Sequence, residues 1–292
     1  MWKKEKTVER LAAEKQREID NELRKSKSTS KDAAKTHGEI LRDQIADAME
    51  TYDKSAQSLF TSSLTAGLEI GFSYLMLCTL YFFLIGKVEE SSIIRIIALV
   101  YPLGFILVVL GQSILFTEQT ALLTLPVLNK KRSVGSMLRL WGIVVAGNLV
   151  GGYIISGILL WLGPNLGIFT REVVVAIASH VLQADLSAVL VSAIVAGWLM
   201  GLLSWLLASS RDTISRIVMI FMITAVMAFT GLHHSIIGSV EVFSGMISSP
   251  EISVWDYLSF QSIALVGNAC GGAIFVALLK YRAFVFNIVS KS

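Results

Sequence analysis

The residues with chemistry to offer lie together in one stretch, Thr230-Gly231-Leu232-His233-His234-Ser235-Ile236-Ile237-Gly238-Ser239. It sits inside an apolar run that is uncharged from Ile217 to Leu232 and resumes to Val240 before Glu241. An imidazole changes charge near pH 6.5, so it can donate a hydrogen bond to an anion when neutral or pair with it when protonated. Ionisable groups at membrane depth face a protein interior or a water-filled path. Two readings of the histidines therefore stand: groups of a pore, or groups satisfied by neighbouring helices. Ser235 and the glycines at 231 and 238 favour a helix that breaks and resumes, because freed backbone groups need protein or a lined cavity around them. His233 should point to another face than His234, either to pair with Glu69, Glu118 or Glu241 or to serve as a second pore group. Adjacent histidines do not share a metal on one helix face as i,i+4 pairs do, so no metal site is expected.

Such a stretch needs a membrane domain to hold it. Of 292 residues, 54% are hydrophobic and 16% charged, with a mean hydropathy of +0.65, which defines a polytopic α-helical membrane protein. Residues 1–58 hold 13 of the 25 Lys/Arg and 12 of the 22 Asp/Glu. A charged helical tail, 1–58, thus precedes a transmembrane domain, 59–285, and a short C-terminus, 286–292. The net charge of +3 is small and mixed in sign along the tail, which argues against nucleic acid. Within the tail, Ile40, Leu41, Ile45, Met49 and Tyr52 mark an amphipathic helix. It could pack beneath the membrane domain or against a neighbouring subunit, or simply lead into the first span.

Six crossings are expected, at residues 59–85, 93–128, 137–162, 186–210, 217–247 and 257–279, each long enough for a hydrocarbon core of about 30 Å. The second and fifth should be broken. Residues 93–128 as one straight helix would reach about 54 Å, and Gly111-Gln112-Ser113 and Thr117-Glu118-Gln119-Thr120 supply polar groups for a break. Lys130, Lys131, Arg132, Arg139, Arg211, Arg216, Lys280 and Arg282 share one side, so both termini should be cytoplasmic. Residues 163–185, with Arg171, Glu172 and His180, read as an amphipathic loop helix on the other side.

The membrane domain also repeats itself. Ala66-Gly67 with Gly71 recurs as Ala196-Gly197 with Gly201, offset by 130, and Gly147-Asn148 with Gly151-Gly152 recurs as Gly267-Asn268 with Gly271-Gly272, offset by 120. Three spans per copy is an odd number, so the second copy should enter upside down, an inverted 3+3 repeat.

With these residues assembled, the chain resembles the formate/nitrite transporter family of small-anion channels. The likeness rests on Ala66-Gly67-Leu68-Glu69-Ile70, Leu115-Phe116-Thr117, Gly147-Asn148-Leu149-Val150-Gly151, His234-Ser235-Ile236 and Gly267 to Gly272. It implies a bacterial inner-membrane channel or transporter surrounded by lipid, a homopentamer of aquaporin-like protomers, each with its own pore for a small anion or its weak acid, and no cofactor. By resemblance, His234 is the central histidine and Thr117 the threonine opposite it. Leu115, Phe105, Tyr101 and Met227 would line apolar slits on either side, and Asn268 would hold the broken helix. Positive ends of the half-helices would favour negative charge.

The chain also departs from the family pattern. Ile114 replaces the acid before Leu-Phe-Thr, His233 the glutamate before the histidine, Gly238 the asparagine after His-Ser-Ile, and Gly197 the fourth-span asparagine. With the added carboxylates Glu69, Glu118 and Glu241, these changes keep a second class open, a transporter of a neutral or cationic solute on the same scaffold. A membrane sensor or scaffold and an intramembrane enzyme are further classes. No nucleotide-binding loop occurs, which argues against coupling to ATP.

Overall fold

The computed structural model describes residues 2–25 and 34–289, and the interruption read at residues 26–31 lies outside them. The described residues contain helices and connecting turns and no strand. In chain order they are α1 (Trp2–Lys25), α2 (His37–Asp53), α3 (Ala56–Leu84), α4 (Glu90–Ile97), α5 (Pro102–Leu110), α6 (Phe116–Leu122), α7 (Thr124–Leu128), α8 (Val134–Leu166), α9 (Arg171–Val181), α10 (Leu186–Ser209), α11 (Thr213–Phe229), α12 (Ser235–Ser248) and α13 (Val254–Cys270). A π-helical stretch, Gly271–Leu278, then leads into α14 (Leu279–Val289).

Among the described residues, five helical segments are long and apolar enough to cross a membrane: Ala56–Leu84, Ser91–Leu110, Val134–Leu166, Leu186–Ser209 and Val254–Asn287. The stretch expected at residues 217–247, with a break, contains two shorter apolar helices, Thr213–Phe229 and Ser235–Ser248. Polar side chains mark where the long helices start. Ser55, Ser133, Asp212 and Ser253 each accept a backbone N–H of the first turn of α3, α8, α11 and α13. The far end of α8 closes on Gly167 in the left-handed region, φ 65°.

α3 packs along α8, and α10 packs along α13 and the π-helical stretch. Both contacts depend on bare backbone. A Cβ on Gly67 would stand 2.2 Å from the Asn148 carbonyl oxygen, and one on Gly197 would stand 2.2 Å from that of Asn268. The same offsets, 130 and 120, relate these pairs as relate the sequence motifs. Small residues here let the helices touch through their main chains.

α2 lies against the membrane domain. Ile40, Leu41 and Ile45 join Leu125, Trp205, Tyr281 and Phe284 in one apolar cluster, which also takes in Ile19 and Leu23 of α1. Polar contacts pin the same face. The Gln44 amide donates to Ser204 Oγ at 3.0 Å, Tyr52 Oη to the Leu123 carbonyl at 2.9 Å, and Arg132 pairs with Asp53 at 2.6 Å. Further out, Asn129 Oδ1 accepts from Gln16 of α1 at 2.8 Å and from Tyr281 at 3.1 Å.

Candidate functional site

Two interruptions in the apolar helices build the site. α5 ends at Leu110, and the chain turns through Gln112 at φ 58° before Leu115, in extended conformation, starts α6. α11 ends at Phe229, and the chain turns through Gly231 at φ 67° before His234, also extended, starts α12. An asparagine holds each turn. Asn148 Oδ1 accepts the Phe116 N–H at 2.8 Å, while its Nδ2 donates to the carbonyls of Ser63 at 2.7 Å and Ile114 at 2.9 Å. Asn268 Oδ1 accepts the Ser235 N–H at 2.7 Å, while its Nδ2 donates to the carbonyls of Ala193 at 2.8 Å and His233 at 3.1 Å. Each amide thus satisfies a backbone donor that opens a helix and carbonyls that an apolar interior would otherwise strand.

The two turns bring His234 and Thr117 together, Nε2 to Oγ1, at 2.8 Å with both residues buried. His234 Nδ1 accepts the Ile236 N–H at 3.2 Å. An acceptor at Nδ1 leaves the ring proton on Nε2, which donates to Thr117. The Thr117 hydroxyl hydrogen then remains for a further acceptor, so the pair can offer an O–H donor to an anion in a dry setting. Phe105 meets the imidazole edge to face at 5.1 Å between centroids and stacks on Tyr101 at 5.3 Å. Leu115 and Met227 are buried in the same apolar cluster as Phe105 and Tyr101. The Met227 carbonyl also takes the Leu232 N–H at 2.9 Å, closing the turn before the histidines.

A cavity of about 840 Å³ reaches the His234 side of this pair, with Tyr101, Arg95, His180, His233, His234 and Glu241 in its wall. Phe105, Leu115, Thr117 and Met227 do not line it and lie behind the histidine in the packed interior.

The structure corrects the expected pairing of His233. Its Nδ1 lies 2.8 Å from Ser192 Oγ and its Nε2 3.2 Å from the Val181 carbonyl, so it bonds to a hydroxyl and a carbonyl rather than to Glu69, Glu118 or Glu241. Its own N–H also donates to Ser192 Oγ at 2.9 Å. Ser192 was missed by sequence reasoning, since one serine in an apolar span carries no pattern. The three carboxylates occupy separate places. Glu69 stands on α3 beside Gly111, with Oε2 buried and without a hydrogen bond among the described residues, Glu118 lies in the first turn of α6, and Glu241 faces the cavity. Two departures from the family pattern have a steric reason. A Cβ on Gly238 would stand 2.6 Å from Phe260 Cζ, and Gly197 lies against the Asn268 main chain, so neither position has room for an asparagine. Among the described residues no group of His, Cys, Asp and Glu side chains could hold a metal ion.

The fold and this centre define a class: an all-helical membrane protein whose buried histidine and threonine meet between the ends of interrupted apolar helices. Residues 38–282 match the model of one protein family, described as Formate/nitrite transporter, and the chain belongs to that family. Inner membrane protein YfdC of Escherichia coli (strain K12) is 32% identical over 244 residues, 80% of this chain and 74% of that protein. Two solved structures share the fold. An FNT family ion channel aligns with a TM-score of 0.74 at 21% identity, over 84% of this chain and 98% of that one. A pentameric formate channel with formate bound aligns with a TM-score of 0.68 at 20% identity, over 79% and 98%.

Proposed function

We propose that this protein passes small monovalent anions, or their weak acids, through a pore in each protomer, with His234 and Thr117 at its centre. The observation that carries the reading is the buried His234–Thr117 pair, set where two turns meet in an apolar interior, each fixed by one asparagine. Bare ions are disfavoured in such surroundings, and an imidazole with a hydroxyl can exchange hydrogen bonds with a carboxylate or nitrite as it passes. Phe105, Tyr101, Leu115 and Met227 act as the apolar slits, and Asn268 as the clamp on the histidine turn.

The same reading takes the membrane domain as six crossings in an inverted 3+3 repeat, with the second and fifth broken. Its support is the match of Gly67, Gln112 and Asn148 to Gly197, Gly231 and Asn268 in position and in the contacts or turns they make. The channel occupies residues 59–285, after the charged segment 1–58 and before residues 286–292, with both termini cytoplasmic. Assembly as a homopentamer and placement in a bacterial inner membrane are drawn by likeness from the pentameric formate channel and the inner membrane protein YfdC. A second reading, a neutral or cationic cargo, draws on Glu241 in the cavity wall.

Uptake into proteoliposomes separates the two. Formate, nitrite, acetate and hydrosulfide, with urea as a neutral control, are offered to wild type and His234→Ala. Uptake of the anions by wild type and its loss in the variant is the expected result. A folded wild type that carries urea and none of the anions sinks the reading.

A further inference from the structure

A second recess, of about 370 Å³, lies where α8 ends, and its wall includes Gly157, Trp161 and Pro164 of α8, Arg171 of α9 and Ser248 of α12. α12 starts beside His234 and ends at Ser248, which sets the recess about 20 Å from the histidine along that helix. Its depth in the bilayer follows from α8. Arg139 is the one charged residue of that helix, and the stretch from Leu140 to Leu160 covers about 30 Å, the thickness of a hydrocarbon core. Trp161 to Asn165 then stand at the level of the lipid headgroups, where tryptophan is favoured, and Trp161 is 69% exposed. Ile154, Ile158 and Trp161 follow one another at i, i+4 and i+7, an exposed apolar strip that leads from the core to the recess. The polar groups inside lack partners. Among the described residues the Arg171 guanidinium has no hydrogen bond and no ion pair within 4.0 Å, and the buried Ser248 Oγ has no hydrogen bond. No carboxylate lines the recess, and that of Glu172, next to Arg171, is taken up by the Thr170 hydroxyl. A permanent cation and a hydroxyl donor at headgroup depth thus await an acceptor.

We propose that this recess binds one glycerophospholipid per chain, with the lipid phosphate on Arg171 and Ser248 and the acyl chains along Ile158 and Ile154. A guanidinium forks onto two phosphate oxygens, and the Ser248 hydroxyl donates to a third. Gly157 opens the floor for the glycerol, since a Cβ there would meet nothing within 4 Å. Pro164 has no N–H to offer the Leu160 carbonyl four residues earlier, which leaves an acceptor beside the recess for a headgroup hydroxyl. A free phosphate would find the same donors but gain nothing from the apolar strip, so the surface favours the lipid. Once seated, the headgroup joins the end of α8, the start of α9 and the end of α12.

The test is native mass measurement of the full chain, stripped of lipid in mild detergent and then titrated with phosphatidylglycerol. Wild type should hold one phosphatidylglycerol per chain, and no diacylglycerol with the same acyl chains. Arg171→Ala should weaken retention about tenfold or more, the loss of a hydrogen bond between charged groups. Gly157→Leu should weaken it as well, because the new side chain enters the recess from an open helical position and leaves the packing of α8 intact. Lys87→Ala, which removes an exposed cation in the turn after α3, should change nothing. Equal retention by wild type and both recess variants overturns the proposal, and so does a loss in Lys87→Ala as large as that in Arg171→Ala. Lipid that inorganic phosphate displaces overturns it too, since the recess would then serve a soluble anion. A wild type that holds no phosphatidylglycerol overturns it outright and leaves the recess to a neighbouring subunit.

Discussion

At the scale of the residue, the site is a matter of which way two neighbouring histidines point. The backbone at His234 is extended as it enters α12, and in extended chain successive side chains leave on opposite sides. His234 therefore turns to Thr117 while His233 turns to Ser192 on α10. Removing the acceptor isolates the first of these contacts. Thr117→Val keeps the shape, strands the Nε2–H of a buried ring, and should lower stability by about 1–3 kcal/mol. Formate uptake should fall about tenfold or more, while Thr117→Ser stays near wild type. Parallel thermal unfolding and uptake rates check both effects. His234, Thr117 and Asn268 were legible in the sequence because their types and order match a family pattern. The partner of His233 was not, because carboxylates were the obvious candidates by charge, and nothing in one sequence says that a lone serine of another span passes within 2.8 Å.

At the scale of the element, breaks were easier to foresee than bounds. Both interrupted stretches were marked by polar residues and glycine inside apolar runs, and the loop helix read in residues 163–185 is found as α9, Arg171–Val181. The stretch read as the fifth crossing became two helices of 17 and 14 residues, since Gly231 and the clamped histidine turn end one and start the other. The turn between α4 and α5 escaped notice, although Pro102 opening α5 was its signal. The π-helical stretch had none, because it depends on how Gly271 and Gly272 meet α10 and Thr120. For α2, the amphipathic pattern left the membrane domain, a neighbouring subunit and a plain lead into the first span all open, and in the structure the helix is docked on the membrane domain. Leu41 is fully buried in that contact. Leu41→Ala should cost about 2–5 kcal/mol, in the range of a large-to-small core change. The loss should appear as faster hydrogen exchange in α2 with the exchange of α3 and α8 unchanged.

At the scale of the whole molecule, the outer surface carries many large apolar side chains. Phe72, Phe83, Leu107, Ile154, Ile158, Trp198, Phe221 and Met222 are all exposed, far more than a water-facing surface carries in one region. Lipid covers such a surface, and neighbouring protomers would cover part of it. If five chains assemble as proposed, native mass measurement in mild detergent should give five times the 31.9 kDa of one chain. A dominant monomer or trimer would remove that part of the proposal. The asparagine clamps also bear on how the molecule works as a device. Each turn beside the histidine is held by two hydrogen bonds to one amide, and the third bond of that amide ties it to a further helix, so neither turn can swing without breaking two hydrogen bonds at once. A carrier that rocks between two shapes must break and remake such contacts in every cycle, and its rate climbs steeply on warming. If the proposed pore passes between these turns, a passage so riveted has no such cycle, and its throughput should change with temperature little more than diffusion in water does.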